Sequence, residues 1–184
     1  MEQQLKPIHL ICTEDEMRPN MALIQIKNNV AYATNGHVLV KIDLQATSNL
    51  QKETLDIING KYIHKEVWKE IWKCDVLEFE EDKIVCHKDG IKKIFEYATS
   101  HGTFFEMDNI VLDVKANGKE AKESIIYSHN LITLLGKVFQ EPSLHFSFSK
   151  AQQGTVVFPY DDCGMFAILM PAMNPSDTND RYIF

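Results

Sequence analysis

One pattern constrains this chain more than any other: a short strand, a helix and then three strands, in that order, more than once. Residues 61–63 are β-prone and lead into residues 64–73, where Val67, Trp68, Ile71 and Trp72 fall on one side of a helix. Residues 76–80, 83–87 and 91–97 then read as strands. Glu81-Asp82 and Lys88-Asp89-Gly90 supply the turns of a three-strand meander. The order returns with a strand at residues 123–127 and with Ser128 as the N-cap of a helix through Phe139. Leu131, Leu134, Leu135 and Val138 give that helix a buried face, and Pro142 lies just past its end. Strands at 144–148, 155–158 and 165–169 complete the copy. Leu144, Phe146 and Phe148 alternate with His145 and Ser147, so one face of that sheet is wet.

A third, incomplete version comes first. Residues 8–12 read as its strand, and residues 21–27, 30–34 and 37–42 as its meander, with hairpin turns at Asn28-Asn29 and Asn35-Gly36. Residues 13–20 are too few, and too interrupted by Pro19, to form a normal helix. The expected fold is therefore α+β, built from repeated β-α-β-β-β units of which the first lacks its helix.

Composition excludes several functions. Apolar content of 45% and charged content of 24% are those of a globular chain. The opening residues carry no signal-peptide pattern, and no apolar run approaches the roughly 20 residues a membrane helix needs. A cytoplasmic protein with no membrane partner is expected. Cys12, Cys74, Cys86 and Cys163 are scattered without a C-x-x-C pair, so they read as reduced thiols rather than metal ligands. No metal or cofactor is expected. No G-x-S-x-G, phosphate-binding glycine loop or H-E-x-x-H motif is present, and Asp161-Asp162 sits where a turn is expected. With no catalytic residues to name, a binding protein is expected rather than an enzyme. A net charge of -7 argues against gripping nucleic acid by bulk attraction. It leaves room for a locally basic surface.

Three local sequences resemble the bacterial DNA sliding clamp, the beta subunit of DNA polymerase III, and they occur in that family's order. Residues 33–39, Ala-Thr-Asn-Gly-His-Val-Leu, resemble a turn of the clamp's middle domain, with Val38 where the family carries an Arg. Residues 104–108 resemble the end of that domain. Residues 154–172, closing on Met170-Pro171, resemble the last strand pair of the final domain. The resemblance implies a shortened DNA-clamp fold. In it, residues 1–113 form a clamp-like domain, 114–173 a clamp half-domain, and 174–184 a polar tail with an apolar end. It also implies an apolar pocket for clamp-binding peptides of polymerase or repair proteins. Thr34, Gly36, His37 and Leu39 would form one wall, and Met170 and Pro171 the other. Read from pattern alone, Leu39, Met170 and Pro171 serve equally as core residues and His37 as a solvated turn residue.

The resemblance further implies a DNA-facing surface on the helices, carried here by Lys65, Lys69, Lys73 and Lys137. The plainer reading of the Lys65/Lys69/Lys73 stripe is a solvated face with Glu66–Lys69 and Glu70–Lys73 pairs. Two functions remain open. One is a sliding-clamp-like processivity factor or docking platform with double-stranded DNA as a non-sequence-specific partner. The other is a clamp-fold interaction module that does not encircle DNA. An odd number of units leaves a sheet edge open, so a homo-oligomer is expected. Tyr182, Ile183 and Phe184 end the tail, either docked in the pocket or frayed.

Overall fold

The computed structural model describes residues 5–100, 127–147, 154–160 and 164–171. Strands β1 (Leu23–Lys27), β2 (Val30–Thr34) and β3 (Val38–Asp43) form the first meander. After two short helices, α1 (Leu44–Thr47) and α2 (Lys52–Ile58), come β4 (Tyr62–His64) and α3 (Lys65–Ile71). The second meander is β5 (Val76–Phe79), β6 (Lys83–Lys88) and β7 (Ile91–Glu96). The last unit supplies α4 (His129–Phe139), β8 (Leu144–Ser147), β9 (Thr155–Pro159) and β10 (Met165–Leu169). No helix among the described residues is long and apolar enough to cross a membrane.

The strands make two antiparallel sheets. Seven run in the order β4-β1-β2-β3-β10-β9-β8, and three in the order β5-β6-β7. The large sheet exists because β3 of the first meander pairs with β10 of the last, from Val38↔Leu169 to Ile42↔Met165. Side-chain alternation then sorts residues to two faces. Ile24, Ile26, Ala31, Ala33, Val40 and Ala167 face inward and join Trp68, Leu135, Phe139, Ile84 and Cys86 in the main core. Leu23, Val30, Tyr32, Leu39 and Ile168 form a second buried cluster on the opposite face.

Residues 8–12 do not form the expected strand. Ile8–Leu10 is a 3-10 turn, with Ile11 N–H donating to the Ile8 carbonyl at 3.0 Å. Ile8 and Ile11 are 0% and 1% exposed, so it is a three-residue spacing, and not alternation, that faces the core. Trp68 Nε1 donates to the Lys6 carbonyl (2.9 Å), and Lys6 Nζ donates to the Phe139 carbonyl (3.3 Å). The segment is thus wedged between α3 and α4, where side-chain partners outweigh its strand propensity. A second 3-10 turn, Pro19–Ala22, is the only other helical element before β1 among the described residues.

Helices α1 and α2 fill residues that sequence patterning leaves unassigned. Asp43 caps α1 by accepting from Gln45 N (2.9 Å) and Ala46 N (3.2 Å), while Leu44, Leu55 and Ile58 are buried. Gly164 permits the close approach of β10 to this cap. At φ +74, a Cβ there would lie 2.9 Å from Asp43 Cβ and 3.1 Å from Ala46 Cβ. The expected strand at 123–127 falls outside the described residues except for Tyr127. The 104–108 motif, Asp161, Asp162, Cys163 and the tail at 174–184 also lie outside them.

Two of the cysteines, Cys74 and Cys86, depart from expectation. Cys74 and Cys86 are joined as a disulfide, with Cα atoms 5.8 Å apart, while Cys12 is free. Leu77 of β5 pairs with Cys86 of β6, and the chain leaving α3 carries Cys74 over the same inward face. Sequence spacing alone does not reveal that approach. The bond closes a short loop, so its reduction is expected to lower stability by about 2–3 kcal/mol. Thermal melts with and without reductant check this. Identical melting temperatures would refute it.

Candidate functional site

The β2–β3 hairpin and the end of β10 meet at one end of the central strands of the large sheet. Thr34 Oγ1 donates to the Val38 carbonyl (2.9 Å) and accepts from Gly36 N (3.1 Å). Asn35 Oδ1 accepts from His37 N and Val38 N, both at 3.0 Å. Four short bonds therefore fix a turn whose Gly36 has φ +87, a conformation that glycine adopts without strain. A Cβ at Gly36 would lie 3.2 Å from Arg18 Nη1 and 3.4 Å from Met21 Cε, so the turn is also closely covered.

Beside this turn, Met170 N donates to the His37 carbonyl at 2.9 Å, extending the β3–β10 ladder by one more bond. The structure thus sets His37 beside Met170, with Thr34, Gly36 and Leu39 of the same hairpin at that end of the sheet. Gly36 and His37 are exposed, Thr34 and Pro171 half-buried, and Met170 is 42% exposed. Leu39 is 7% exposed and pairs with Ile168, which is 2% exposed. Together the exposed methionine, the proline and the buried Leu39–Ile168 pair make a shallow apolar strip ending at a rigid polar turn. An unbranched Met side chain adapts to irregular apolar surfaces, which suits such a strip to short apolar segments.

Sequence reading missed Ile168, Val156 and Arg18 at this strip. Ile168 lies two residues before Met170 on one strand face, so period-two alternation was sufficient to find it. Val156 pairs with Ile168 across the β9–β10 ladder. Arg18 has no sequence signal, because it reaches Gly36 only through tertiary folding. Asp15 holds it, accepting from Nε at 2.7 Å, and this contact with Arg18 keeps the Asp15 carboxyl below its usual range. Farther along the same face, an open recess of about 460 Å3 is lined by Glu14, Glu16, Pro19, Leu23 and His64. The outward face is therefore apolar near β10 and acidic near β1.

Of the lysines expected to face DNA, Lys65 and Lys69 lie on α3, Lys73 just past its end, and Lys137 on α4. Lys65 pairs with Glu14 (3.1 Å) and Lys69 with Glu66 (3.0 Å), while the Lys73 ammonium lies over the Trp72 ring (5.2 Å). Glu70 reaches Lys93 of β7 instead of the expected Lys73. Lys137 is exposed in the last turn of α4. Carboxylates therefore offset both lysines of α3, Lys65 and Lys69. Among the described residues, no group of three or more His, Cys, Asp or Glu is placed to hold a metal.

Beneath α3, His9 is buried, with its ring 5.7 Å from that of Trp72 and its Nδ1 unbonded among the described residues. Burial, reinforced by Lys73, lowers its pKa from 6.5 to about 4. The unfolded chain takes up this proton as pH falls through about 6.5, and the folded chain resists until about 4. The associated stability is therefore full above pH 6.5 and lost across that window. Melting temperature is expected to fall over this range, with His9→Gln removing a contribution on the order of 2 kcal/mol. A pH–melting profile with the same slope in both proteins would refute this.

A comparison with protein-family models finds no match, and a comparison with curated proteins finds none either. Solved structures do match. A sliding clamp (DNA polymerase III subunit beta) from Bartonella birtlesii, bound to griselimycin, aligns with TM-score 0.61 and 15% identity. That alignment covers 90% of this chain and 62% of the clamp. The DNA polymerase sliding clamp of Bacillus subtilis aligns with TM-score 0.61 and 10% identity over 95% of this chain and 64% of that one. The beta sliding clamp of C. crescentus gives 0.59 and 14%, over 95% and 66%. The chain thus spans less than two-thirds of the length of each of these clamps. At such identities the likeness concerns backbone architecture, and on that ground this chain has the DNA-clamp fold.

Proposed function

We propose that this chain acts as a sliding-clamp-like docking platform in DNA replication or repair, receiving short apolar peptide segments of polymerase or repair proteins. The observation that carries this reading is the Met170–His37 hydrogen bond. It sets a rigid Gly36–His37 turn against an exposed Met170-Pro171 step on a clamp fold. The griselimycin-bound clamp among the similar structures supports a ligand-accepting surface on this fold. Double-stranded DNA is a second, weaker partner in this reading. Lys73 and Lys137 would contact phosphates without reading bases, and the carboxylates on Lys65 and Lys69 hold that attraction down. The same two ion pairs and the net charge of -7 favour, as a second reading, docking without encirclement of DNA.

The test is fluorescence anisotropy with a labelled peptide, a polar stretch ending in Leu-Phe, and with griselimycin as competitor. Met170→Ala removes exposed apolar surface without opening the core, so binding is expected to weaken about tenfold, or about 1.4 kcal/mol, at unchanged melting temperature. Absence of peptide binding by the wild type, or affinity indifferent to Met170→Ala, would overturn the docking reading. Retention on circular but not linearised DNA separates the two DNA readings.

A further inference from the structure

The apolar strip beside the Gly36–His37 turn has an apolar segment of the same chain tethered to it. β10 ends at Leu169, and the next two residues, Met170 and Pro171, belong to the strip. Beyond Met173 the next apolar bulk in the sequence is Tyr182-Ile183-Phe184, outside the described residues. From Asn174 to Arg181 the intervening sequence is polar apart from Pro175. Such a run has little to bury and serves as a linker. Tyr182 stands eleven positions after Pro171. A linker of that length spans about 18 Å r.m.s. and reaches about 36 Å at most. Leu39 and Ile168 pair across neighbouring strands, so the strip lies about one strand spacing, roughly 5 Å, from the tether. Asp177 and Asp180 precede the apolar triad, and the Arg18 side chain, 54% exposed, offers a cation at the Gly36 turn.

From these observations we infer that Tyr182-Ile183-Phe184 docks on the strip of its own chain and competes with the peptides received there. The inference rests on the docking reading and adds a regulator to that site. A short tether holds its end at an effective concentration in the millimolar range, so the weak contacts of three apolar residues suffice to occupy the strip. The unbranched Met170 side chain adapts to such an occupant. A competing peptide then binds with its affinity reduced by the fraction of strips left open. The tail thereby sets a threshold, passed by ligands that make more apolar contact than the triad.

The test compares the intact full-length chain with the full-length double variant Ile183→Ser/Phe184→Ser. Anisotropy with the labelled Leu-Phe peptide is expected to show about threefold tighter binding to the variant, at unchanged melting temperature. In amide NMR of the intact chain, the Ile183 and Phe184 signals are expected to shift on addition of excess unlabelled peptide. They are also expected to stay unchanged on dilution of the protein, as own-chain docking requires. Equal or weaker peptide affinity in the variant overturns the inference and leaves the docking reading standing. So does an NMR spectrum in which the two signals ignore the peptide. Signals that move on dilution assign the contact to a neighbouring copy and overturn own-chain docking. Absence of peptide binding by both chains overturns the docking reading and this inference with it.

Discussion

The antiparallel pairing of β3 with β10 is the contact on which the rest of this structure depends. It joins segments separated by more than a hundred residues, and it turns two meanders into one seven-stranded sheet. Without it the inward residues Val40 and Ala167 would not share a core, and the outward residues Leu39 and Ile168 would not cover each other. The pairing also decides where Met170 lies. Its amide completes the ladder on the His37 carbonyl, so the candidate strip is a consequence of sheet register. A register slip of one residue would send Ile168 and Leu39 to opposite faces and dissolve it.

A second constraint sits on the helix side. The Ile8–Leu10 turn fills the space between α3 and α4, and Lys6 and Trp68 satisfy backbone groups there through side-chain bonds. This explains how the first unit manages without a regular helix: its opening segment becomes packing for the helices of the others. The disulfide between Cys74 and Cys86 and the Lys93–Glu70 pair fasten α3 to the small sheet from the other side. Helix α3 is thereby held on both flanks. Its lysines are presented from a rigid element, although most of their charge is already matched.

Much of the fold was legible from local patterning. The three meanders, the β4–α3 step and the helix after Ser128 are short elements with clear periodicity and turn residues. Local interactions dominate in such elements. The misreadings have specific causes. Residues 8–12 are apolar enough for a strand, yet they follow a three-residue spacing that only the facing helices impose. Residues 44–58 follow the capping Asp43 and form two helices of four and seven residues, too short for a clear helical period beside the stronger strand signals. Ser128 stands at the N-cap of α4, but its side chain makes no capping bond.

By itself, the sequence determined the unit: which residues alternate and where hairpins turn. Alternation and turn chemistry act over a few residues, so one chain suffices to read them. Only the tertiary structure decided which units join, and that Arg18, Ile168 and Val156 belong beside Gly36 and Met170. Those outcomes depend on strand-to-strand hydrogen bonds and burial between distant segments. No local pattern encodes which of several similar edges will meet.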